Sequence, residues 1–264
     1  MKSLLPVKQV FLDMDGTIYH GSRLYPTTIP FLNFLKSRNI GYHFLSNNSS
    51  YSKSEYVAKL AKVGIAASEN EFYLSTDYTI DYLKKFMPEV KKLFVFGMKS
   101  IFPAFEEAGF TVESSDPDAV IVAFDRSFDY DRLCQAAYFI KKGLPALATH
   151  PDVFCPTDQE TLLVDCGAIT ACLEKATGCK IKVLGKPDPG LLRAAAERCG
   201  VNVGETLMCG DRLATDILLG INAGALTCRI NGPGADMTEV PGVIPDFELP
   251  DLGELQKIWE SELK

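Results

Sequence analysis

The sequence lacks the features that mark membrane, secreted and nucleic-acid-binding proteins. Its longest strongly apolar run, residues 119–124, is far shorter than the roughly 18 residues that a membrane-spanning helix needs. Lys8 and Asp13 interrupt the apolar stretch that a signal peptide would require. Acidic residues outnumber basic ones by 34 to 27, and the resulting net charge of −7 disfavours binding to duplex nucleic acid. These absences predict a cytoplasmic protein with neither nucleic-acid nor membrane partners.

Zinc motifs and low-complexity segments are also absent. No two of the eight cysteines are separated by two residues, and only three histidines accompany them, so we expect buried thiols in a reducing compartment. The 20 glycines and 15 prolines are close to average usage, which excludes a collagen-like chain. With 47% apolar and 23% charged residues, the composition is that of a folded globular protein.

Apolar runs alternate with helical periodicity at both ends of the chain. Near the start, residues 8–12 and 41–45 are predicted strands, and residues 27–38 between them are a predicted helix. Near the end, the predicted elements are a helix at 189–199, a strand at 205–209, a helix at 214–223 and a strand at 226–230. This alternation predicts an α/β fold with a doubly wound, Rossmann-like parallel sheet, whose polar site lies beyond the carboxyl ends of the strands.

The middle of the chain has strands and helices of its own. We predict strands at 92–96, 119–124 and 146–149, and helices at 100–108, 130–142 and 168–177. One continuous sheet through the whole chain is the alternative. Polar residues at strand ends occur only before about residue 50 and after residue 186, which favours an inserted domain. We therefore expect a core formed by residues 1–78 and 183–264, and an inserted α/β domain at 79–182.

Two carboxylates follow the first predicted strand, in the run Asp13-Met14-Asp15-Gly16-Thr17. Side chains two residues apart on an extended chain point the same way, so one carboxylate could meet a substrate and a cation while the other handles a proton. A solvated acidic turn or a calcium loop is the alternative. The calcium motif needs a third ligand before its glycine and a later glutamate, and neither is in register.

Three further polar runs also accompany predicted strands or precede a helix. The run from Ser46 to Ser50 could donate hydrogen bonds to an oxyanion, or could simply form a turn and helix cap. Lys186 lies in a Gly-Lys-Pro turn, where its ammonium could neutralise phosphate charge. Asp211 and Asp216 follow the strand at 205–209, although Asp216 could serve only as a helix cap.

In their order along the chain, these four runs resemble the motifs of the haloacid dehalogenase (HAD) superfamily. The second aspartate, Asp15, is similar to that of the phosphatase branch. The insertion between the second and third motifs resembles the type IIA cap of the NagD-like and para-nitrophenyl-phosphatase subfamily. The Ser46–Ser49, His150–Asp152, Gly167–Ile169, Gly185–Pro187 and Gly210–Arg212 segments resemble that subfamily's sequence blocks.

The resemblance implies a Mg²⁺-dependent phosphomonoesterase with an aspartyl-phosphate intermediate. Asp13 would be the nucleophile, and Asp15 would act first as acid and then as base. The implied Mg²⁺ ligands are the Asp13 carboxylate, the Asp15 backbone carbonyl and Asp211, with Asp216 bound either directly or through water. Ser46, the Asn47 backbone amide and Lys186 would hold the phosphate oxygens.

The resemblance also implies that cap loops select the leaving group of a small phosphorylated metabolite. The cap candidates are His150, Asp152 and Cys155, although His150 could instead be a hydrogen-bonded loop residue. Pyridoxal-phosphate phosphatases of this group carry a histidine at about the position of Cys155, which puts that substrate in doubt. A phosphotransferase or phosphomutase using the same intermediate, or a non-catalytic phosphate- and metal-binding module, is the alternative function. A homodimer is implied by resemblance only.

Overall fold

The computed structural model describes residues 2–127, 129–155, 157 and 159–264. The chain divides into two compact units. Unit 1 consists of Met1–Ser46, Val57–Tyr73 and Lys186–Lys264, and unit 2 consists of Asn47–Tyr56 and Leu74–Gly185. Within the described residues, every helix is too short or too polar to span a bilayer. Both units are built from parallel strands and helices, so the predicted α/β class is confirmed.

Unit 1 contains a six-stranded sheet whose strands lie in the order β15-β14-β13-β1-β4-β5. These strands are β1 (Gln9–Leu12), β4 (Gly41–Ser46), β5 (Phe72–Leu74), β13 (Thr206–Gly210), β14 (Leu226–Ile230) and β15 (Phe247–Leu249), with the end of β5 assigned to unit 2. A short antiparallel hairpin pairs β2 (Tyr19–His20) with β3 (Arg23–Leu24). All four residues of β1 are buried, as expected for a central strand covered by helices on both faces.

The helices that belong wholly to unit 1 are α1 (Thr28–Ser37), α7 (Pro189–Arg198), α8 (Leu218–Ala223) and α9 (Leu252–Glu262). Helix α2 (Lys53–Lys62) begins in unit 2 and ends in unit 1. At the start of α7, the Asp188 side chain accepts a hydrogen bond from Gly190 N, and Pro189 occupies the first turn, where no amide hydrogen is needed.

The order of strands places the end of β1 at a switch point. From β1 the chain continues to β4 on one side, and much later returns to β13 on the other side, with both pairs parallel. Loops leaving adjacent strands in opposite directions open a crevice at their carboxyl ends, and ligands bind there in open α/β sheets. The residues after β1 and β13, beginning with Asp13 and Asp211, therefore meet at this crevice.

Unit 2 has a five-stranded parallel sheet in the order β12-β9-β8-β6-β7. Its strands are β6 (Lys92–Phe96), β7 (Thr111–Val112), β8 (Ala119–Val122), β9 (Ala146–Ala148) and β12 (Lys182–Val183), beside a hairpin of β10 (Phe154–Cys155) and β11 (Leu163–Val164). Its helices are α3 (Ser75–Phe86), α4 (Phe102–Glu107), α5 (Tyr130–Lys141) and α6 (Cys166–Thr177). The side chains of β6, β8, β9, α5 and α6 form its apolar core.

One predicted helix differs in kind from the observed structure. Residues 214–223 were expected to form one α-helix, but Leu213–Ile217 adopt a π-helical turn that leads into α8. Gly210 and Asp216 explain the difference, because a wider turn brings the Asp216 side chain back against the end of β13.

Candidate active site

Four charged residues from three separate segments of unit 1 lie together at the switch point. Asp13 follows β1, Lys186 precedes α7, Asp211 follows β13, and Asp216 lies in the π-helical turn. Lys186, Asp211 and Asp216 are buried, and Asp13 is partly buried. Asp13, the candidate nucleophile, is held by a backbone hydrogen bond, in which its amide N donates to the Cys209 carbonyl at 2.8 Å.

Lys186 is ion-paired with two of these acids. Its Nζ lies 2.5 Å from Asp13 Oδ1 and 2.6 Å from Asp216 Oδ1. Burial disfavours the charged ammonium, but the two carboxylates outweigh that effect and raise the pKa of Lys186. The lysine therefore supplies a permanent positive charge inside the acidic cluster.

The carboxylates of Asp13, Asp211 and Asp216 offer oxygen atoms that all lie within 4.8 Å of one another. Burial and repulsion from Asp216 and Asp211 raise the pKa of Asp13 to about 8, even though Lys186 acts in the opposite direction. Burial and repulsion from Asp216 raise the pKa of Asp211 to about 6. One lysine does not neutralise three acids, so the cluster has excess negative charge when all three are ionised.

Two glycines make room for these carboxylates. A Cβ at Gly16, whose φ is +81°, would lie 2.3 Å from Asp211 Oδ2. A Cβ at Gly210 would lie 2.2 Å from the Cβ of Asp216. Real Cβ atoms do not approach other atoms so closely, so any larger residue at either position would displace a carboxylate.

The cluster fits a small divalent cation. Asp211 Oδ2 accepts a hydrogen bond from Asp236 N at 2.8 Å, whereas Asp211 Oδ1 is buried and finds no hydrogen-bond partner among the residues that the structure describes. A buried carboxylate oxygen without a partner is costly unless a cation meets it. An all-oxygen donor set is what Mg²⁺ prefers.

Asp15 lies in a different environment from Asp13. Its side chain is 54% exposed, and its Oδ1 lies 3.7 Å from His20 Nδ1 on the β2–β3 hairpin. Asp13 and Asp15 were expected to point the same way on an extended chain. The chain is not extended here, because β1 ends at Leu12 and Gly16 turns the chain through a positive φ. The Asp15 carboxylate is therefore open to solvent, whereas the Asp13 carboxylate is partly buried.

The two hydroxyl and amide candidates lie at the end of β4. Ser46 is the last residue of β4 and is buried in unit 1. Asn47 belongs to unit 2, where its Nδ2 donates to Asp152 Oδ2 at 3.1 Å and its carbonyl accepts from Ser75 Oγ at 2.6 Å. The phosphate-binding role of both residues stays a prediction.

The three cap candidates differ in exposure. His150 is fully buried, with its Nε2 3.0 Å from Asp165 Oδ1 and its Nδ1 2.9 Å from Thr149 Oγ1. Asp152 and Cys155 are half-buried, and Cys155 Sγ lies 3.7 Å from Asn48 Nδ2. The burial of His150 favours the alternative of a hydrogen-bonded loop residue, while Asp152 and Cys155 have exposed surface for a ligand.

Sequence reasoning overlooked two residues that contact this site. Asp236 supplies the amide that binds Asp211, and Arg229 in β14 donates from Nε to the Asp211 carbonyl at 3.3 Å. Neither residue lies in a recognised motif. The only signal in the sequence was an arginine within a predicted buried strand, a position where a charge requires a partner.

The chain is similar to known proteins over most of its length. Residues 10–111 match the haloacid dehalogenase-like hydrolase family, and residues 183–255 match the HAD-hydrolase-like family. The chain is 31% identical over 256 residues to the ribonucleotide monophosphatase NagD of Escherichia coli K12, covering 96% of this chain and 100% of that protein. It is 32% identical to the 5′-nucleotidase YutF of Bacillus subtilis, covering 92% of this chain and 93% of YutF. The crystal structure of a 4-nitrophenylphosphatase from Thermotoga maritima superposes with a TM-score of 0.88 at 35% identity, covering 96% of this chain and 98% of that one.

Proposed function

The chain belongs to the haloacid dehalogenase-like hydrolases and is a phosphatase of the NagD-like subfamily, and on that premise we propose that it hydrolyses small phosphomonoesters with Mg²⁺ through an aspartyl-phosphate on Asp13. The observation that carries this proposal is the convergence of three carboxylates within 4.8 Å, with the ammonium of Lys186 ion-paired to two of them. Because the three carboxylates outweigh the single charge of Lys186, the cluster can bind a phosphate dianion only when a cation neutralises the excess negative charge.

In the first step, a carboxylate oxygen of Asp13 attacks phosphorus and the ester oxygen leaves. Asp15 donates a proton to that leaving oxygen, so an alcohol departs and Asp15 becomes a carboxylate. In the second step, Asp15 removes a proton from water, and the resulting hydroxide attacks phosphorus. Inorganic phosphate is released, and Asp13 returns to its starting form.

Asp13 must be ionised to attack phosphorus. Lys186 favours that form, and so does any cation at the carboxylate cluster, whereas burial opposes it. Asp13, Asp211, Asp216 and the Asp15 carbonyl would hold Mg²⁺, which when bound would neutralise charge on the carboxylates and the phosphate. Lys186 and Ser46 would hold phosphate oxygens, together with the backbone amide of Asn47.

We assign the core role to unit 1 and the cap role to unit 2. Within unit 2, Asp152 and Cys155 are the candidates for contact with the leaving group, and His150 supports the loop that carries them. Two of the relatives are a ribonucleotide monophosphatase and a 5′-nucleotidase, so nucleoside 5′-monophosphates are the first substrates to test. The eight free thiols support a reducing, cytoplasmic location.

The substrate class is tested by a phosphate-release screen. Nucleoside monophosphates, sugar phosphates, phosphoglycolate, glycerol phosphate and para-nitrophenyl phosphate are compared by kcat/KM, with Mg²⁺ and with EDTA. We expect Mg²⁺-dependent release of inorganic phosphate, also in the presence of excess acceptor alcohol. Transfer of the phosphoryl group to the alcohol as the main reaction would identify a phosphotransferase, and no release from any ester would leave only a binding module.

The intermediate is tested by chemical trapping. Borohydride reduces an acyl phosphate to an alcohol, so a reaction quenched during turnover and then reduced should carry homoserine at position 13, which peptide mass spectrometry identifies. Asp13→Asn should give no such product and should lose at least about a thousandfold in kcat. Its circular dichroism should match the parent protein. Most activity remaining in Asp13→Asn would refute the nucleophile.

A further inference from the structure

Arg229 is a buried arginine of unit 1, and among the residues that the structure describes its guanidinium contacts four others, all in unit 1. It is 2% exposed and is the penultimate residue of β14, between the buried residues Cys228 and Ile230. A buried guanidinium is expensive unless all its hydrogen-bond donors are matched. The contacts that match them show what the residue does.

Two of these contacts are to backbone carbonyls. Arg229 Nε donates to the Asp211 carbonyl at 3.3 Å, and Nη2 donates to the Asp236 carbonyl at 3.1 Å. The remaining contacts are ion pairs of Nη1 with Glu239 at 3.1 Å and Glu248 at 3.2 Å. The planar guanidinium thus joins the loop after β13 to the loop after β14.

The second loop acts in turn on the carboxylate of Asp211. Asp236 N donates to Asp211 Oδ2 at 2.8 Å, and Asp211 Oδ1 is the buried oxygen that finds no hydrogen-bond partner among the described residues. The protein therefore fixes one oxygen of Asp211 by a hydrogen bond and leaves the other, buried oxygen for a cation. Arg229 fixes the backbone on both sides of that hydrogen bond.

The same loop also contacts the hairpin beside Asp15. Tyr25 Oη donates to the Pro233 carbonyl at 2.5 Å. A Cβ at Gly234 would lie 2.6 Å from His20 Nδ1, which shows how closely the loop packs against the hairpin. The loop that Arg229 anchors is therefore held at its other side as well.

We propose that Arg229 is a positioning residue for the divalent cation: by fixing the Asp211 and Asp236 carbonyls, it orients the Asp211 carboxylate so that Oδ1 faces the cation site. The proposal rests on the proposed metal-dependent function. It concerns a residue that touches neither substrate nor cation. Residues that orient metal ligands typically affect metal affinity by about 10- to 100-fold.

Loss of the Arg229 charge and loss of its positioning contacts predict opposite changes in Mg²⁺ affinity. Arg229→Met removes a positive charge near the site, so electrostatics alone would make Mg²⁺ bind more tightly. Positioning predicts weaker binding, because Asp211 loses its fixed orientation. Arg229→Lys keeps the charge but lacks the fork that reaches both carbonyls, so positioning again predicts weaker binding.

The experiment is an isothermal calorimetric titration of Mg²⁺ into the full-length protein without substrate. We expect the Mg²⁺ dissociation constant to rise about tenfold or more in Arg229→Met and in Arg229→Lys. At saturating Mg²⁺, KM for the ester should stay close to that of the parent. Arg193→Met is the matched control, because Arg193 is an exposed arginine that donates from Nη2 to the Asn222 carbonyl at 3.1 Å, and its Mg²⁺ affinity should not change.

The outcomes separate this inference from the proposed function. If the parent protein binds Mg²⁺, Asp211→Asn abolishes binding, and both Arg229 variants bind Mg²⁺ as tightly as the parent or more tightly, the inference is overturned and the metal site stands. If the parent protein itself does not bind Mg²⁺, the inference about Arg229 and the proposed Mg²⁺-dependent function are both overturned. Should Arg229→Met fail to fold, Arg229→Lys decides the question, because it keeps the buried charge opposite Glu239 and Glu248.

Discussion

At the scale of single residues, two aspartates two positions apart have opposite surroundings. Asp13 is enclosed with Lys186 and two further acids, whereas the Asp15 side chain is about half exposed beside His20. A buried carboxylate held by a lysine suits attack on phosphorus, and a solvated one suits proton transfer. The difference in surroundings, on which the proposed roles rest, follows from the turn at Gly16, which removes Asp15 from the line of β1.

The acid role of Asp15 predicts a dependence on the leaving group. Asp15→Asn removes the proton donor, and an alkoxide leaves poorly without a proton, whereas para-nitrophenolate needs little protonation. We expect kcat on an alkyl phosphate to fall about 100-fold or more, and kcat on para-nitrophenyl phosphate to fall much less. Equal losses on both esters, measured at saturating Mg²⁺, would contradict this role.

Most of the charged site was predictable from the sequence, but its supporting contacts were not. Asp13, Lys186, Asp211 and Asp216 follow strands or precede a helix in a recognisable order, and the structure brings them together. The contribution of Arg229 depends on which carbonyls lie within reach of its guanidinium. That is decided by how two loops pack, and no local pattern encodes it.

At the scale of elements, the start of α6 is tied to β9 through a buried histidine. Asp165 caps α6 by accepting from Cys166 N at 2.6 Å, and the same Oδ1 lies 3.0 Å from His150 Nε2. His150 Nδ1 is 2.9 Å from Thr149 Oγ1, directly after β9. Removing the imidazole would leave a buried carboxylate and a buried hydroxyl with fewer partners.

This network predicts a stability effect of His150→Phe. We expect the free energy of unfolding to fall by about 2–3 kcal/mol, because buried polar groups lose their hydrogen bonds. Urea denaturation measures the change, and His20→Phe is the control, since the His20 side chain is 60% exposed and its replacement should change stability by less than about 0.5 kcal/mol. A His150→Phe protein as stable as the parent would show that the network contributes nothing to unit 2.

Several of the longer elements were well predicted, but helix α2 and the shortest strands were not. Strands β6 and β14 match the sequence prediction at both ends, and the bounds of α1, α5 and α7 differ from it by a single residue at one or both ends. The prediction missed the two-residue strands of both hairpins, since two residues carry no periodicity. Helix α9 was also missed, although the Asp251 side chain caps it by accepting from Gly253 N and Glu254 N.

At the scale of the whole molecule, the carboxylate cluster links stability to pH and to the cation. The pKa of Asp13 is raised from 3.8 to about 8, and that of Asp211 to about 6. Between about pH 4 and pH 8 the folded, metal-free chain therefore binds more protons at these two groups than the unfolded chain. By linkage, their contribution to stability is present at low pH and is lost as pH rises through the folded-state pKa values.

We expect the free energy of unfolding in EDTA to decrease between pH 5 and pH 8, and saturating Mg²⁺ to remove this decrease, because a cation favours the ionised acids. Excess Mg²⁺ at about 100 times its dissociation constant should add about 2.7 kcal/mol at pH 8. Urea denaturation at four pH values, with EDTA and with Mg²⁺, measures both effects. Asp13→Asn in EDTA should show a smaller pH dependence, and an unchanged dependence would contradict the assignment to Asp13.

The discontinuous makeup of unit 1 has a consequence for biosynthesis. Strand β1, which leads directly to Asp13, the proposed nucleophile, pairs on one side with β13, whose first residue is Thr206. Until the ribosome has released that distant segment, one edge of β1 lacks its native neighbour and stays open to wrong pairing. Unit 2, complete at Gly185, is finished earlier. Unit 1, and with it the carboxylate cluster, therefore forms only after the third segment of unit 1 has been synthesised.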